Sequence, residues 1–221
     1  MAGATRQRRK AERPNEILEA AFEEFALHGY AATRLEDVAA RAGVTKGTIY
    51  VYFASKEQVF EALALQRGKE LLERGRPFIE DEADPTPDSI RADLTFLLRV
   101  CVDDPRSMEI LRLLISEAVR FPKLVDEHFQ NYFAPVIDKM KEKVRRVIEK
   151  GGFRETPAAD FPELLFAPAL TMHVWTLLFA DRRPLDVDRY IEAAVDLVMN
   201  GLLPPASGTA ASAESGPRLV K

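Results

Sequence analysis

A chain of 221 residues with 47% hydrophobic and 30% charged side chains is long enough to bury a core and too mixed to be a fibrous or disordered polymer. Its one cysteine, Cys101, excludes an internal disulfide, and the spacing of His28, His128 and His173 matches no zinc motif, so neither a metal nor any other cofactor is expected. The net charge of −4 is unevenly spread: residues 1–56 hold nine basic and seven acidic side chains, and the acidic remainder argues against an indiscriminate nucleic-acid packager.

Residues 1–13 contain Arg6, Arg8, Arg9, Lys10 and Arg13 against Glu12 alone. They read as an arm disordered until bound, either a DNA contact or a solubilising tail. A helix is expected from Pro14, which suits a first turn because its missing N–H has no partner there anyway. Ile17, Leu18, Ala21, Phe22 and Phe25 recur at helical spacing until Gly29 ends the run. Thr33-Arg34-Leu35-Glu36 has the capping-box pattern and predicts a short second helix, apolar through Leu35, Val38, Ala39 and Ala42 and stopped by Gly43. A third helix is expected from Thr45 to Tyr52, buried through Ile49 and Phe53. Ser55-Lys56-Glu57-Gln58 is a second capping box and opens a fourth helix reaching about Arg74.

Beyond an acidic, proline-containing loop at 80–88, helices are expected near 88–103, 105–120, 122–150, 160–180 and 187–202. No window alternates with a period of two, so the fold class is all-α. Residues 161–180 are apolar and long enough to span a bilayer. They also hold Glu163, His173, Pro162 and Pro168, which favours a buried or interface helix over a membrane span. No apolar run follows the basic start, so no secretory signal is expected and a cytoplasmic location is. The domain expectation is a reader at 14–56, a helical domain at 57–203 and a floppy tail at 204–221.

Two short helices crossing over a tight turn need a small residue at the touch point, a glycine in the turn and a buried aliphatic as a lock. Ala39, Gly43 and Ile49 stand at those places. A plain helical hairpin would satisfy the same spacing. The exposed face of the third helix separates the two readings. Thr45, Lys46, Thr48, Tyr50 and Tyr52 offer hydroxyls, an ammonium and phenols suited to base edges and phosphates, and Gly47 permits close backbone approach.

The run from Pro14 to Leu63 resembles the DNA-binding domain of the TetR/AcrR family of bacterial regulators, above all Val38 to Phe53 followed by Lys56 and Glu57. The resemblance implies a homodimeric repressor that reads a pseudo-palindromic double-stranded DNA operator with three N-terminal helices. It also implies a C-terminal helical domain that dimerises and binds a small apolar or amphipathic effector. It places Thr33 near a phosphate, puts Thr45, Lys46, Gly47 and Thr48 on the recognition face, and matches Tyr50, Tyr52 and Lys56 to further contact positions. Many members carry histidine where Tyr52 stands. Arg34 and Arg41 are either additional phosphate contacts or solvated residues.

No nucleophile elbow, phosphate loop or acid–base constellation is present, so an enzyme is not expected. The basic run Lys139, Lys141, Lys143, Arg145, Arg146 and Lys150 is either a solvated helix face or a second nucleic-acid surface. Candidate pocket residues are Phe96, Met108, Leu111, Phe121, Phe166, Met172, His173, Trp175 and Phe179, which helical spacing alone would equally assign to a core or subunit interface.

Overall fold

The computed structural model describes the backbone of residues 2–204 and the side chains from Glu12 onward. The expected tail therefore lies outside the described residues beyond Pro204. The described backbone is helical without strands. Ten α-helices follow one another: α1 (Ala2–Ala32), α2 (Leu35–Arg41), α3 (Lys46–Tyr52), α4 (Lys56–Ile79), α5 (Pro87–Val102), α6 (Pro105–Glu117), α7 (Pro122–His128), α8 (Ala134–Glu149), α9 (Glu163–Phe179) and α10 (Val187–Leu202). A π turn, Phe129–Phe133, joins α7 to α8, and a 3₁₀ turn, Pro157–Asp160, precedes α9.

Helix α1 begins at Ala2 and takes in the stretch expected to be disordered before binding, so Pro14 lies inside the helix rather than in its first turn. The residues ahead of Pro14 include Arg, Gln, Lys, Ala and Glu, all good helix formers. Gly29 interrupts the helix with φ 74°. The single helix expected over 122–150 is corrected to α7, the π turn and α8. The wider π turn shifts the register by a residue and sets His128 edge-on against Tyr132, with ring centroids 5.0 Å apart. Gly68 of α4 packs so close to this corner that a Cβ would fall 2.2 Å from the Tyr132 ring.

The chain divides into two compact units. The first comprises residues 1–81 and 99–137, the second residues 82–98 and 138–221. In the first, Ile17, Ala21, Phe25, Val38, Ile49, Val59, Phe60, Leu63 and Leu113 are buried in one cluster drawn from α1, α2, α3, α4 and α6. Four rings form its centre. Phe25, Tyr30, Phe60 and Phe121 have neighbouring centroids 5.0–5.6 Å apart, with Phe25–Phe60 and Tyr30–Phe121 edge to face.

In the second unit, α10 buries Ile191, Val195, Met199 and Leu202, and the Tyr190 hydroxyl donates to the Pro168 carbonyl of α9 at 3.0 Å. The Lys143 ammonium, 1% exposed, pairs with Asp93 at 2.9 Å. Four more members of the basic run, on α8 and just past its end, form surface ion pairs: Lys139 with Glu82 and Glu142, Arg145 with Asp160, and Arg146 and Lys150 with Asp84. These ion pairs neutralise most of that helix face, as a solvated face would have it.

The turn between α2 and α3 depends on Gly43, whose φ of 64° is left-handed. Its backbone N–H donates to Ala40 O, and Val44 N–H donates to Ala39 O, closing the turn. Open space surrounds the position where a Cβ would stand, so the cost of a side chain is backbone strain alone. Gly43→Ala should therefore destabilise the protein by about 1–2 kcal/mol. A denaturant titration should show the midpoint falling at unchanged slope.

Candidate nucleic-acid interface

Helices α2 and α3 have seven residues each, too few to persist alone. They are held by what they bury: Leu35, Val38 and Ala39 from α2 and Ile49 from α3. Thr45 caps α3 by accepting from the Thr48 N–H at 3.2 Å, and Ser55 caps α4 by accepting from the Gln58 N–H at 3.3 Å. The return bond of the Ser55 box goes to the neighbouring residue, since Gln58 Oε1 accepts from Ala54 N–H at 2.8 Å. The box expected at Thr33 is corrected. Arg34 is the N-cap of α2 and makes no side-chain cap bond. The Thr33 hydroxyl instead points back into the fold, within 2.8 Å of Gly29 O and 3.0 Å of Glu24 O.

That placement also removes Thr33 from the outer face: it is 2% exposed, and its hydroxyl already has acceptors. Lys56, expected among the DNA contacts, is engaged within the protein. Its ammonium donates to the carbonyls of Tyr30 at 2.8 Å, Ala31 at 3.2 Å and Thr33 at 2.8 Å, and it lies 4.5 Å from the centre of the Tyr30 ring. One cation thus satisfies carbonyls at and just beyond the end of α1. Burial is the largest influence on its pKa and lowers it, and the Arg120 guanidinium lowers it further.

The remaining candidates share one outward surface. Thr45, Lys46, Gly47 and Tyr50 are exposed, Tyr50 by 48%, and Thr48 is half-buried with its hydroxyl 2.9 Å from that of Thr45. Tyr52 is half-buried against the core cluster, on the inner side of the helix. Arg34 is exposed. A Cβ on Gly47 would meet only Thr45 Oγ1 at an ordinary 3.7 Å, so the protein itself tolerates a side chain there.

Sequence reasoning missed two features of this face. Val51 is exposed beside Tyr50, and Glu36 of α2 accepts a hydrogen bond from the Lys46 ammonium at 2.6 Å. That bond holds the Glu36 carboxyl below its usual pKa and raises Lys46. Arg41 is engaged by Glu24 at 2.6 Å and Glu23 at 2.7 Å. The spacing Glu36-x₉-Lys46 spans a turn, so no helical periodicity would have revealed the pair.

The candidate pocket residues fall in different settings. Phe121 belongs to the aromatic centre of the first unit, a correction from pocket to core that follows from its ring contacts with Tyr30 and Phe60. Met108 is half-buried on α6, and Leu111 lines a small cavity there. In the second unit Phe96 is partly exposed on α5, Met172 and His173 are buried on α9, and Phe166 is half-buried. Trp175 packs against Phe179 with the rings tilted and centroids 4.8 Å apart, and donates its indole N–H to Arg183 O at 2.9 Å. Among the described residues no cluster of His, Cys, Asp or Glu is arranged to hold a metal ion, and no helix is long and apolar enough to cross a membrane.

Comparison with known proteins agrees with this arrangement. The family model described as bacterial regulatory proteins of the tetR family matches residues 17–63, and that of the AefR-like transcriptional repressor C-terminal domain matches residues 94–201. The chain is 26% identical to the uncharacterized HTH-type transcriptional regulator YhgD of Bacillus subtilis, over 84% of this chain and 94% of that protein. It is 42% identical to the HTH-type transcriptional regulator TtgR of Pseudomonas putida, over 32% of this chain and 34% of that one. Among solved structures, the complex of SmeT with triclosan superposes with a TM-score of 0.68 at 24% identity, covering 88% of this chain and 93% of that one. SmeT is the repressor of the Stenotrophomonas maltophilia multidrug efflux pump SmeDEF.

Replacing Lys56 by methionine keeps the apolar stem and strips three carbonyls of their donor. Lys56→Met should lower unfolding stability by about 1–3 kcal/mol, the cost of leaving such groups unsatisfied. Calorimetry or a denaturant titration measures it, and a neutral result would remove Lys56 from the structural frame.

Proposed function

Because this chain belongs to the TetR/AcrR family of bacterial transcriptional regulators, and so binds DNA, we propose that it is a homodimeric repressor of a pseudo-palindromic operator whose affinity is set by a small apolar or amphipathic molecule. It acts by binding, not catalysis, and works in the cytoplasm. The observation that carries this reading is the exposed face of α3, with one ammonium, two threonine hydroxyls and a phenol projected from a helix locked by Ile49. We assign Thr45, Lys46, Gly47, Thr48 and Tyr50 to base edges and nearby phosphates, with Arg34 at a flanking phosphate. Residues 14–56 form the reader and 57–203 the part that dimerises and takes the effector.

One such reader contacts too few bases for high specificity, and a two-fold pair reading half-sites one helical turn apart, or a multiple of it, answers that need. An apolar surface suited to the pairing lies on α9 and α10. Leu170, Val174, Leu177 and Leu178 recur on one side of α9 and are each about half exposed, and Leu197 of α10 is 75% exposed. Exposed apolar side chains repeated along one face of α9 favour a partner over water. The effector reading is supported by the family's own examples, SmeT being a repressor with a solved triclosan complex. Selection of bound genomic fragments, with sedimentation of the free protein, tests the whole. A dimer and a two-fold symmetric operator are expected, and a monomer on an asymmetric site would overturn the reading.

The Glu36–Lys46 pair gives a sharper expectation. Glu36→Gln frees the ammonium for phosphates. Binding to non-operator DNA should tighten, and the slope of log affinity against log salt should steepen by about 0.9 for each phosphate newly neutralised. Lys46→Ala should flatten that slope, and adding Glu36→Gln to it should leave the slope where it is. Fluorescence anisotropy across a salt series measures all three variants.

A further inference from the structure

Helix α3 buries Ile49 completely, and that anchor fixes which line of the helix stands outermost. With about 3.6 residues per turn, Gly47 and Val51, two positions before and two after Ile49, each lie about 160° around the axis from it. They are one turn apart and form the outer ridge. The polar side chains stand on its flanks. Lys46 and Tyr50 share one flank, with the ammonium 5.6 Å from the centre of the phenol ring. Thr48 holds the other, its hydroxyl 2.9 Å from that of Thr45. The line of the helix that would enter a groove first therefore carries no hydrogen-bonding side chain.

Neither ridge residue serves the fold. Val51 is 72% exposed, more than Tyr50 beside it. A lone exposed valine means little by itself. Gly47 supplies the second observation. Its backbone is not left-handed: among the described residues the glycines of positive φ are Gly29, Gly43 and Gly151. A Cβ there would meet only Thr45 Oγ1, at an ordinary 3.7 Å. Glycine is a poor helix former, and α3 has only seven residues. A missing side chain from which the protein itself gains nothing leaves room for a neighbour from outside.

We propose that the Gly47–Val51 ridge meets the floor of the DNA major groove, with Val51 against a thymine methyl and the bare Gly47 backbone against the adjoining base edge. The assignment rests on the reading of α3 as the DNA-contacting helix and names its specificity-determining residue. Along the major-groove edges of the bases, the C5-methyl of thymine is the apolar group on offer. An isopropyl group gains nothing from the N7 and O6 acceptors of guanine or the amino group of cytosine, and it strips them of water. Val51 thus selects an A·T pair at one position, and two-fold symmetry repeats that position in the second half-site. A Cβ at Gly47 would lift the helix off the bases and lengthen the contacts made by both flanks.

Operators selected by the wild-type protein from random duplexes are the probe, with each thymine replaced singly by deoxyuridine, which lacks only the methyl. One position in each half-site should lose about fourfold in affinity, the worth of one buried methyl. In Val51→Ala that loss should disappear while every other position keeps its own. Gly47→Ala should melt at a higher temperature and bind the operator about tenfold or more weakly. Loss of folding cannot produce that pair of opposite signs. A deoxyuridine profile identical in the wild type and Val51→Ala, or undiminished operator binding in Gly47→Ala, overturns the ridge. Lys46→Ala keeps the two readings apart. If it weakens binding to a two-fold operator while those profiles stay identical, α3 remains the DNA-contacting helix and the ridge alone falls. Operator affinity unchanged in Lys46→Ala, Gly47→Ala and Val51→Ala alike overturns both.

Discussion

The Lys56 ammonium, seated on the carbonyls of Tyr30, Ala31 and Thr33, fixes the frame on which the DNA-facing surface depends. Two seven-residue helices have no independent stability, so their placement must come from both ends of the segment that carries them. At one end Thr33 is bonded back to Glu24 and Gly29, and at the other Ser55 caps α4. Lys56 ties those ends together across 23 residues of sequence. Everything between them, including the left-handed turn at Gly43 and the lock at Ile49, then has one geometry available. The aromatic centre of Phe25, Tyr30, Phe60 and Phe121 lies against the same joint, since Tyr30 supplies both a ring to the core and a carbonyl to Lys56.

A reader of DNA is expected to expose positive charge, yet among the described side chains three of its cations are engaged. Lys46 is bound to Glu36, Arg41 to Glu23 and Glu24, and Arg13 to Glu16. Such solvent-exposed pairs are worth roughly 0.2–1 kcal/mol each, so a phosphate can displace the acidic partner at small cost. These three cations are therefore held back in the free protein, and a matched DNA surface recovers them one contact at a time. Sequence-independent attraction to DNA scales with the number of phosphates neutralised. Holding Lys46 on Glu36 lowers that background while leaving the base-facing hydroxyls of Thr45 and Thr48 in place.

The fold was legible wherever the signal was local. Helical periodicity located the helices to within a few residues from α2 onward, and the glycines at positions 29 and 43 stand where left-handed backbone is needed. The Ser55 box was legible because its partners are three residues apart. Thr33 carries the same four-residue pattern and behaves otherwise, because carbonyls of α1 folded against it outbid the cap. The internal contacts of Lys56 and Phe121 were illegible for a related reason: a lysine at a helix start and a phenylalanine between helices look the same in sequence whether they face a ligand or a neighbour. The π turn was invisible, since one extra residue leaves the apolar pattern on either side intact. The exposed face of α3 was readable, apart from the acidic partner that a neighbouring helix supplies.

Any ligand that changes DNA affinity must act on contacts that differ between two states of similar energy. The aromatic centre is a poor candidate, because removing one of its large rings costs about 3–5 kcal/mol and would threaten the fold itself. The polar rim around α6 is better matched. Glu19 is shared between Arg67 and Arg106, Arg112 donates to Ala26 O at 3.3 Å, and Arg120 reaches Glu57 at 3.5 Å while lying 4.9 Å from the Tyr30 ring centre. The first two contacts join α4 or α6 to α1 and the third sets the residue after α6 between α4 and the Tyr30 ring, and each involves a side chain long enough to change partners without opening a cavity. Typical couplings between effector and DNA amount to about 1–3 kcal/mol, the scale of one or two such exchanges. The division of labour follows from those magnitudes: the rings and Lys56 keep the reader intact as a body, and the arginines around α6 set how firmly that body is held.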